Sequence, residues 1–184
     1  MGLSRLDNFL KSSRGTILYV NPNDLDATDS IENQGNSLTR PFKTIQRALL
    51  EAARFSYQRG LNNDRFAKTT IQVYPGDHVI DNRPGFIPDG TNNYRLRNGT
   101  TSDNLPAFDL STNLDLASAD NNLFKLNSVH GGVIIPRGTS LVGVDVRKTK
   151  IRPKYIPSPT NGNIERSALF RVPGGCSFGQ FSIF

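Results

Sequence analysis

A chain of 184 residues is long enough for one hydrophobic core, or for a small domain and the start of another. It is 36% hydrophobic and carries 16 glycines and 11 prolines, so turns are many, long helices few, and a mostly β class is expected. A formal charge of +6 and a pI near 9.7 suit acidic partners, whereas the lack of tryptophan and the spread of charge count against nucleic acid.

One cysteine, Cys176, excludes an internal disulfide and a cysteine-built zinc site; it reads as a small apolar filler in a turn or strand. No run approaches the ~20 apolar residues of a membrane-spanning helix. Met1 to Gly15 lack the apolar stretch of a secretory signal, and Leu6 stands where a myristoylation motif needs Ser or Thr. A soluble product made in the cytoplasm is expected, with no membrane insertion.

Residues 1–15 place Leu3, Leu6 and Phe9 or Leu10 at helical spacing, with Ser4 and Gly15 as bounding signals. That stripe is too small to fold alone. It reads either as an arm packed on its own domain or as a docking arm buried on another protein. Thr16 to Val20 then has strand character. The loop Asn21 to Asp29 holds three carboxylates but lacks the glycine and terminal glutamate of an EF-hand, so a structural turn is expected.

A helix is expected at about 41–59, with Thr39 as N-cap, Pro41 in the first turn and Gly60 beyond the end. Phe42, Ile45, Leu49 and Ala52 form its apolar face, leaving Lys43, Arg47, Glu51, Arg54 and Arg59 mostly outward. A one-sided helix must cover something apolar, and the open end of a stack of strands is the nearest candidate. Thr69 to Tyr74 alternates as a strand, Pro75-Gly76-Asp77 supplies a turn, and His78 to Ile80 is a second short strand. These elements make residues 16–85 a cap-like unit.

Residues 86–128 lose periodicity among Asn, Asp, Gly, Thr and Ser, and read as a polar insertion with one brief strand at Asn121 to Leu126. From 129 to 184 the texture changes to short strands parted by Gly, Pro and Asp turns: Gly132 to Ile135, Ser140 to Val142, Thr149 to Arg152, Ala168 to Val172 and Phe181 to Phe184. These suit successive sides of a coiled sheet. The apolar ending Phe181-Ser182-Ile183-Phe184 lacks a polar terminator, so either the polypeptide continues or a partner covers the edge, the first being the expectation.

Two stretches carry a resemblance. The first runs from Tyr19-Val20-Asn21 through Pro41-Phe42-Lys43-Thr44-Ile45-Gln46-Arg47-Ala48-Leu49 to Ile71-Gln72-Val73-Tyr74-Pro75-Gly76. The second is Val133 to Ile151, with Ile135-Pro136-Arg137-Gly138-Thr139-Ser140-Leu141-Val142-Gly143 inside it. Together they resemble the opening of pectate-lyase-like (pectin-lyase-fold) right-handed parallel β-helix proteins. With the arm, the whole chain except the insertion is similar to the beginning of virion proteins of cyanobacterial myophages, found there as tail-fibre, spike or baseplate-associated components.

The resemblance implies an N-terminal arm, a strand–helix–strand cap and the start of a right-handed β-helix. It implies a structural role in host attachment and a place in the virion. The implied partners are other virion proteins of tail, baseplate or neck, together with copies of itself, a trimer by analogy. A host surface glycan would be met through a downstream region, and no cofactor is implied. Relatives also include polysaccharide lyases and hydrolases, so the alternative is the N-terminal part of a depolymerase. Lyase relatives generally use calcium-binding acidic residues and an Arg or Lys base on middle coils, which would lie beyond Phe184; no catalytic residue carries over.

Glycan hydrolysis needs two carboxylates facing each other at ~5 to 9.5 Å. Asp77, Asp81, Asp89, Asp109, Asp115, Asp120 and Asp145 are available, but no spacing pairs them. His78 and His130 are far apart and lie beside turns. No phosphate-binding glycine loop, nucleophile elbow or paired-histidine zinc motif occurs. The clearest interaction signal is Lys148, Lys150, Arg152 and Lys154, which in an extended segment would share one face at ~6.8 Å spacing. Such a row fits an anionic partner, or a solvated wall that blocks edge pairing.

Overall fold

The structure, a computed structural model, describes residues 16–56, 68–88, 94–96, 122–156 and 168–184. The expected arm and the end of the expected helix lie outside them, as does most of the insertion. Parallel strands dominate. β1 (Thr16–Val20), β2 (Thr69–Val73), β7 (Thr139–Gly143) and β10 (Ser177–Gly179) form one parallel sheet in that order. β3 (Gly76–Ile80), β8 (Thr149–Pro153) and β11 (Ser182–Ile183) form a second, and β6 (Val133–Ile134) with β9 (Phe170–Arg171) a third. Each pass of the chain therefore lies beside the previous one in register. The remaining strands, β4 (Phe86–Pro88) and β5 (Tyr94–Leu96), pair antiparallel inside the expected insertion.

The alternating pattern decides which side chains enter the space between the sheets. β1 and β2 bury every second residue, and so does β7. Parallel register then lines up equivalent positions, so that Leu18, Ile71, Leu141 and Phe178 form one inward column. The first three are fully buried, but Phe178, on the outermost of these strands among the described residues, is 40% exposed. A second column, His78, Ile151 and Ile183, ends the same way, with Ile183 59% exposed.

At the other end lies the only helix among the described residues, α1 (Ile45–Ser56), packed on β1, β2 and β3. Ile45, Leu49 and Ala52 of its expected apolar face, with Phe42 just ahead of the helix, join Leu18, Val20, Ile71, Val73 and Ile80 in one core cluster. Burying each large aliphatic side chain contributes about 1.5–3 kcal/mol. This packing, rather than helix propensity, holds a helix of 12 residues in place.

Four expectations are corrected. The helix begins at Ile45, not Pro41, and Thr44 rather than Thr39 caps it, its Oγ1 accepting from the Arg47 amide at 3.2 Å. The Asp29 carboxylate reinforces the start, accepting from the amides of Lys43 (2.8 Å) and Thr44 (3.0 Å) and from the Thr44 hydroxyl (2.7 Å). Pro41 and Phe42 are thereby held extended, and Phe42 bridges to Val20 as one more parallel rung beside β1. Arg47 and Glu51 are buried, not outward. The Arg47 guanidinium donates to Glu51 at 2.9 Å and to the Asn33 carbonyl at 3.2 Å, and lies 4.7 Å over the Phe42 ring. A charged pair leaves water only with such partners.

The third correction concerns Asn121 to Leu126, where Leu123 to Leu126 turn instead of forming a strand. Leu123 and Phe124 are buried, so this part of the insertion belongs to the packed body. Gly76 likewise opens β3 rather than sitting in the turn before it.

Candidate functional site

The densest set of buried polar groups lies where β3 leaves its sheet. Gln46, on α1, accepts from the Asp81 amide at 2.8 Å, and its Nε2 donates to the carbonyls of Asp81 and Leu123 and to the Asn127 side-chain oxygen. Asn127 Nδ2 donates to the carbonyls of Asp81 (2.6 Å) and Arg83 (2.8 Å). Asn82 accepts from the Tyr155 amide at 2.9 Å and donates to the Tyr155 and Ala168 carbonyls. It thus ties the end of β3 to the next two passes. These side chains satisfy backbone groups that the turning chain removes from its ladders. In sequence the two asparagines look like ordinary turn residues and Gln46 like a polar helix position; only their distant partners mark them.

This corner holds the turning chain in position. The Asp81 carboxylate has both oxygens engaged by Arg83, Nε to Oδ1 and Nη2 to Oδ2, each at 2.8 Å. That bidentate grip leaves Asp81 to orient the chain. The other candidates fall apart in space or in purpose. Asp77 is exposed on β3. Asp145 accepts from the amides of Arg147 (2.8 Å) and Lys148 (3.2 Å) in its own turn. Asp89, Asp109, Asp115 and Asp120 lie outside the described residues. Within the loop Asn21 to Asp29, Asp24 accepts from the Asp26 amide, and Asp29 serves α1. No group of three or more His, Cys, Asp or Glu suited to a metal exists among the described residues. Cys176 is half-buried, its thiol 3.4 Å from the Pro136 carbonyl.

The two histidines have different settings. His130 is exposed in a turn. His78 is buried in β3, its Nε2–H donating to the Tyr74 carbonyl at 2.8 Å. Burial holds the His78 imidazole below its ordinary value, outweighing the upward pull of that hydrogen bond and of the Asp77 charge. Unfolding restores a group that titrates near pH ~6.5. Below that pH the unfolded chain binds a proton the native one lacks, so stability falls as pH falls through this window. The expected result is a lower melting temperature at pH 5.5 than at pH 7.5, with a smaller drop in His78→Gln. Equal drops in both proteins would assign the effect elsewhere.

The expected cationic row stands on the outer face of the second sheet. Lys150 and Arg152 alternate outward with the buried Thr149 and Ile151 on β8. Lys148 ends the turn into that strand and Lys154 follows it at a bend, and all four are exposed. None forms an ion pair among the described residues. The expected docking residues Leu3, Leu6, Phe9 and Leu10 lie outside the described residues. No helix among the described residues is long and apolar enough to cross a membrane. Comparisons with family models, with characterised proteins and with solved structures find no match to this chain.

Proposed function

We propose that this chain is a structural attachment module of a phage virion, the capped first coils of a right-handed β-helix in a tail-fibre, spike or baseplate-associated protein. One observation carries the reading: parallel passes stacked in register, covered by α1 at one end and leaving inward side chains uncovered at the other. A stack of this kind is stiff, because every pass hydrogen-bonds to the next through its backbone. It also elongates by adding passes, each burying the apolar column of the one before. Such an element transmits position over distance, which suits a rod between particle and host.

In this reading residues 1–15 join the module to its virion neighbour, with Leu3, Leu6 and Phe9 or Leu10 as the buried stripe. Deleting residues 1–15 is expected to leave the circular dichroism spectrum and melting temperature unchanged while abolishing incorporation into particles assembled in an infected host. A truncated chain that still co-sediments with particles at the full-length level defeats the attachment role. A full-length chain absent from purified particles defeats the virion reading altogether.

A further inference from the structure

Every second residue from Val146 to Ile156 is exposed: Val146, Lys148, Lys150, Arg152, Lys154 and Ile156. Within β8 such neighbours lie about 6.6–6.8 Å apart, closer than a Debye length of ~8 Å, so the cations repel one another. The fold does little to offset that repulsion. Asp77 faces Lys150 across the β3–β8 pair without forming an ion pair. The Asp145 carboxylate is turned to the amides of Arg147 and Lys148. Arg147, also exposed, extends the positive end, and on the other side β11 places Ser182 beside Lys150. The positive charge therefore runs as a single line.

Both ends of this line are apolar. Val146 is 52% exposed two residues before Lys148, and Ile156 is 77% exposed two residues after Lys154. Charge in the middle with aliphatic side chains at the rim inverts the anatomy of a protein–protein interface, whose buried centre is depleted of charge and whose rim is polar. The exposed positions of the line carry no aromatic ring on which the bases of a nucleic acid single strand could stack. An anionic bilayer surface accepts this order as it stands. Lipid phosphates meet cations in the headgroup layer, while aliphatic side chains at either end reach toward the acyl boundary. We propose that this face docks on the surface of an anionic lipid bilayer, with Lys148, Lys150, Arg152 and Lys154 over lipid phosphates and Val146 and Ile156 pressed into the interface. The chain then lies on the membrane without crossing it. Docking of this kind requires no virion, so its failure leaves the attachment reading untouched.

The test is co-sedimentation of the full chain with vesicles of one part phosphatidylglycerol to two parts phosphatidylcholine, at several salt concentrations, beside vesicles of phosphatidylcholine alone. The mixed vesicles are expected to carry the chain down and the neutral ones not. Each cation near such a surface contributes about fivefold in affinity. Lys150→Gln, Arg152→Gln and Lys154→Gln together are therefore expected to weaken binding about a hundredfold and to flatten its salt dependence. A control with three exposed cations removed elsewhere (Arg40→Gln, Lys43→Gln, Lys68→Gln) is expected to change affinity less than twofold. Val146→Ser with Ile156→Ser is expected to weaken binding several-fold at unchanged salt dependence, which a purely electrostatic patch would not show. The proposal is overturned if the chain stays in solution with the mixed vesicles, if the two triple variants lose affinity equally, or if the aliphatic variant binds like the parent. Anisotropy with fluorescein-labelled polyglutamate covers the competing partner. Binding as tight as to the vesicles, and lost in the same triple variant, would make this a site for an acidic polypeptide and overturn the lipid assignment.

Discussion

Gly35→Ala is expected to lower unfolding stability by about 2–5 kcal/mol, read as a drop in the urea midpoint at unchanged slope. Two costs add. Gly35 has a φ of +62°, where an L side chain meets its own following carbonyl at a cost of roughly 1–2 kcal/mol. A methyl group there would also overlap the Phe42 ring, which packs directly on the glycine Cα, and overpacking costs about 1–3 kcal/mol more. The ring has nowhere to retreat, because the Arg47 guanidinium covers it at 4.7 Å. The backbone cannot give way either: the Gly35 carbonyl accepts from the Tyr19 amide at 2.8 Å, and Asn33 accepts from the Gly35 amide at 3.1 Å. A second variant separates the two costs. Gly35→Ala with Phe42→Leu relieves the overlap but not the backbone strain, so it should lose less than the sum of the two single changes. Strict additivity would mean that ring and glycine do not share this site.

Much of this arrangement was legible in advance, and its gaps have physical causes. Short apolar runs between turn residues located β1, β2, β7 and β8, and alternation is plain along β2 and β8, because each has one face in the core and one in water. Helical spacing picked out Ile45, Leu49 and Ala52 for the same reason; Phe42 is buried too, but on extended backbone ahead of the helix. What failed were inferences resting on a residue's polarity alone. Arg47 and Glu51 read as solvent-facing, yet their partners are a carbonyl from a distant loop, a ring before the helix and each other. Thr39 and Thr44 are equally good caps by composition. Asp29, far upstream, decides between them by gripping the amides of Lys43 and Thr44. Burial raises the Asp29 carboxyl above its usual range even so, with the hydrogen bonds from Thr44 and Lys43 pulling the other way.

The corner residues Asn82 and Asn127 were invisible for a related reason. Asparagine in a Gly- and Pro-rich stretch is an ordinary turn former. Here it supplies hydrogen bonds to passes that lie up to 86 residues away along the chain. The cationic row was legible because alternation along one strand suffices to expose it. Its neighbours Asp77, Ser182 and Phe184 were not, because they reach it through parallel register, which no local pattern encodes.

Register also sets the order of two substitution penalties. Leu141 and Phe178 are adjacent in one inward column and pair directly between β7 and β10. Leu141 is fully buried between Ile71 and Phe178, so Leu141→Ala opens a cavity with rungs on both sides and is expected to cost about 2–5 kcal/mol. Phe178, though the larger side chain, sits on the outermost rung with a stacked ring contact to Phe170 at 5.8 Å and an edge contact to Phe181 at 6.3 Å. In a chain ending its stack at this rung, Phe178→Ala should cost less than Leu141→Ala, reversing the usual order for side chains of these sizes. Thermal melts of the two variants in the 184-residue chain measure the difference. The comparison also reports on whatever covers this rung. If a further pass or a partner is supplied and packs over β10, the Phe178 penalty should rise toward the ~3–5 kcal/mol of a buried phenylalanine while that of Leu141 stays constant. Equal penalties in the isolated chain would mean that Phe178 is already enclosed, and the column would then close at this end as it does beneath α1.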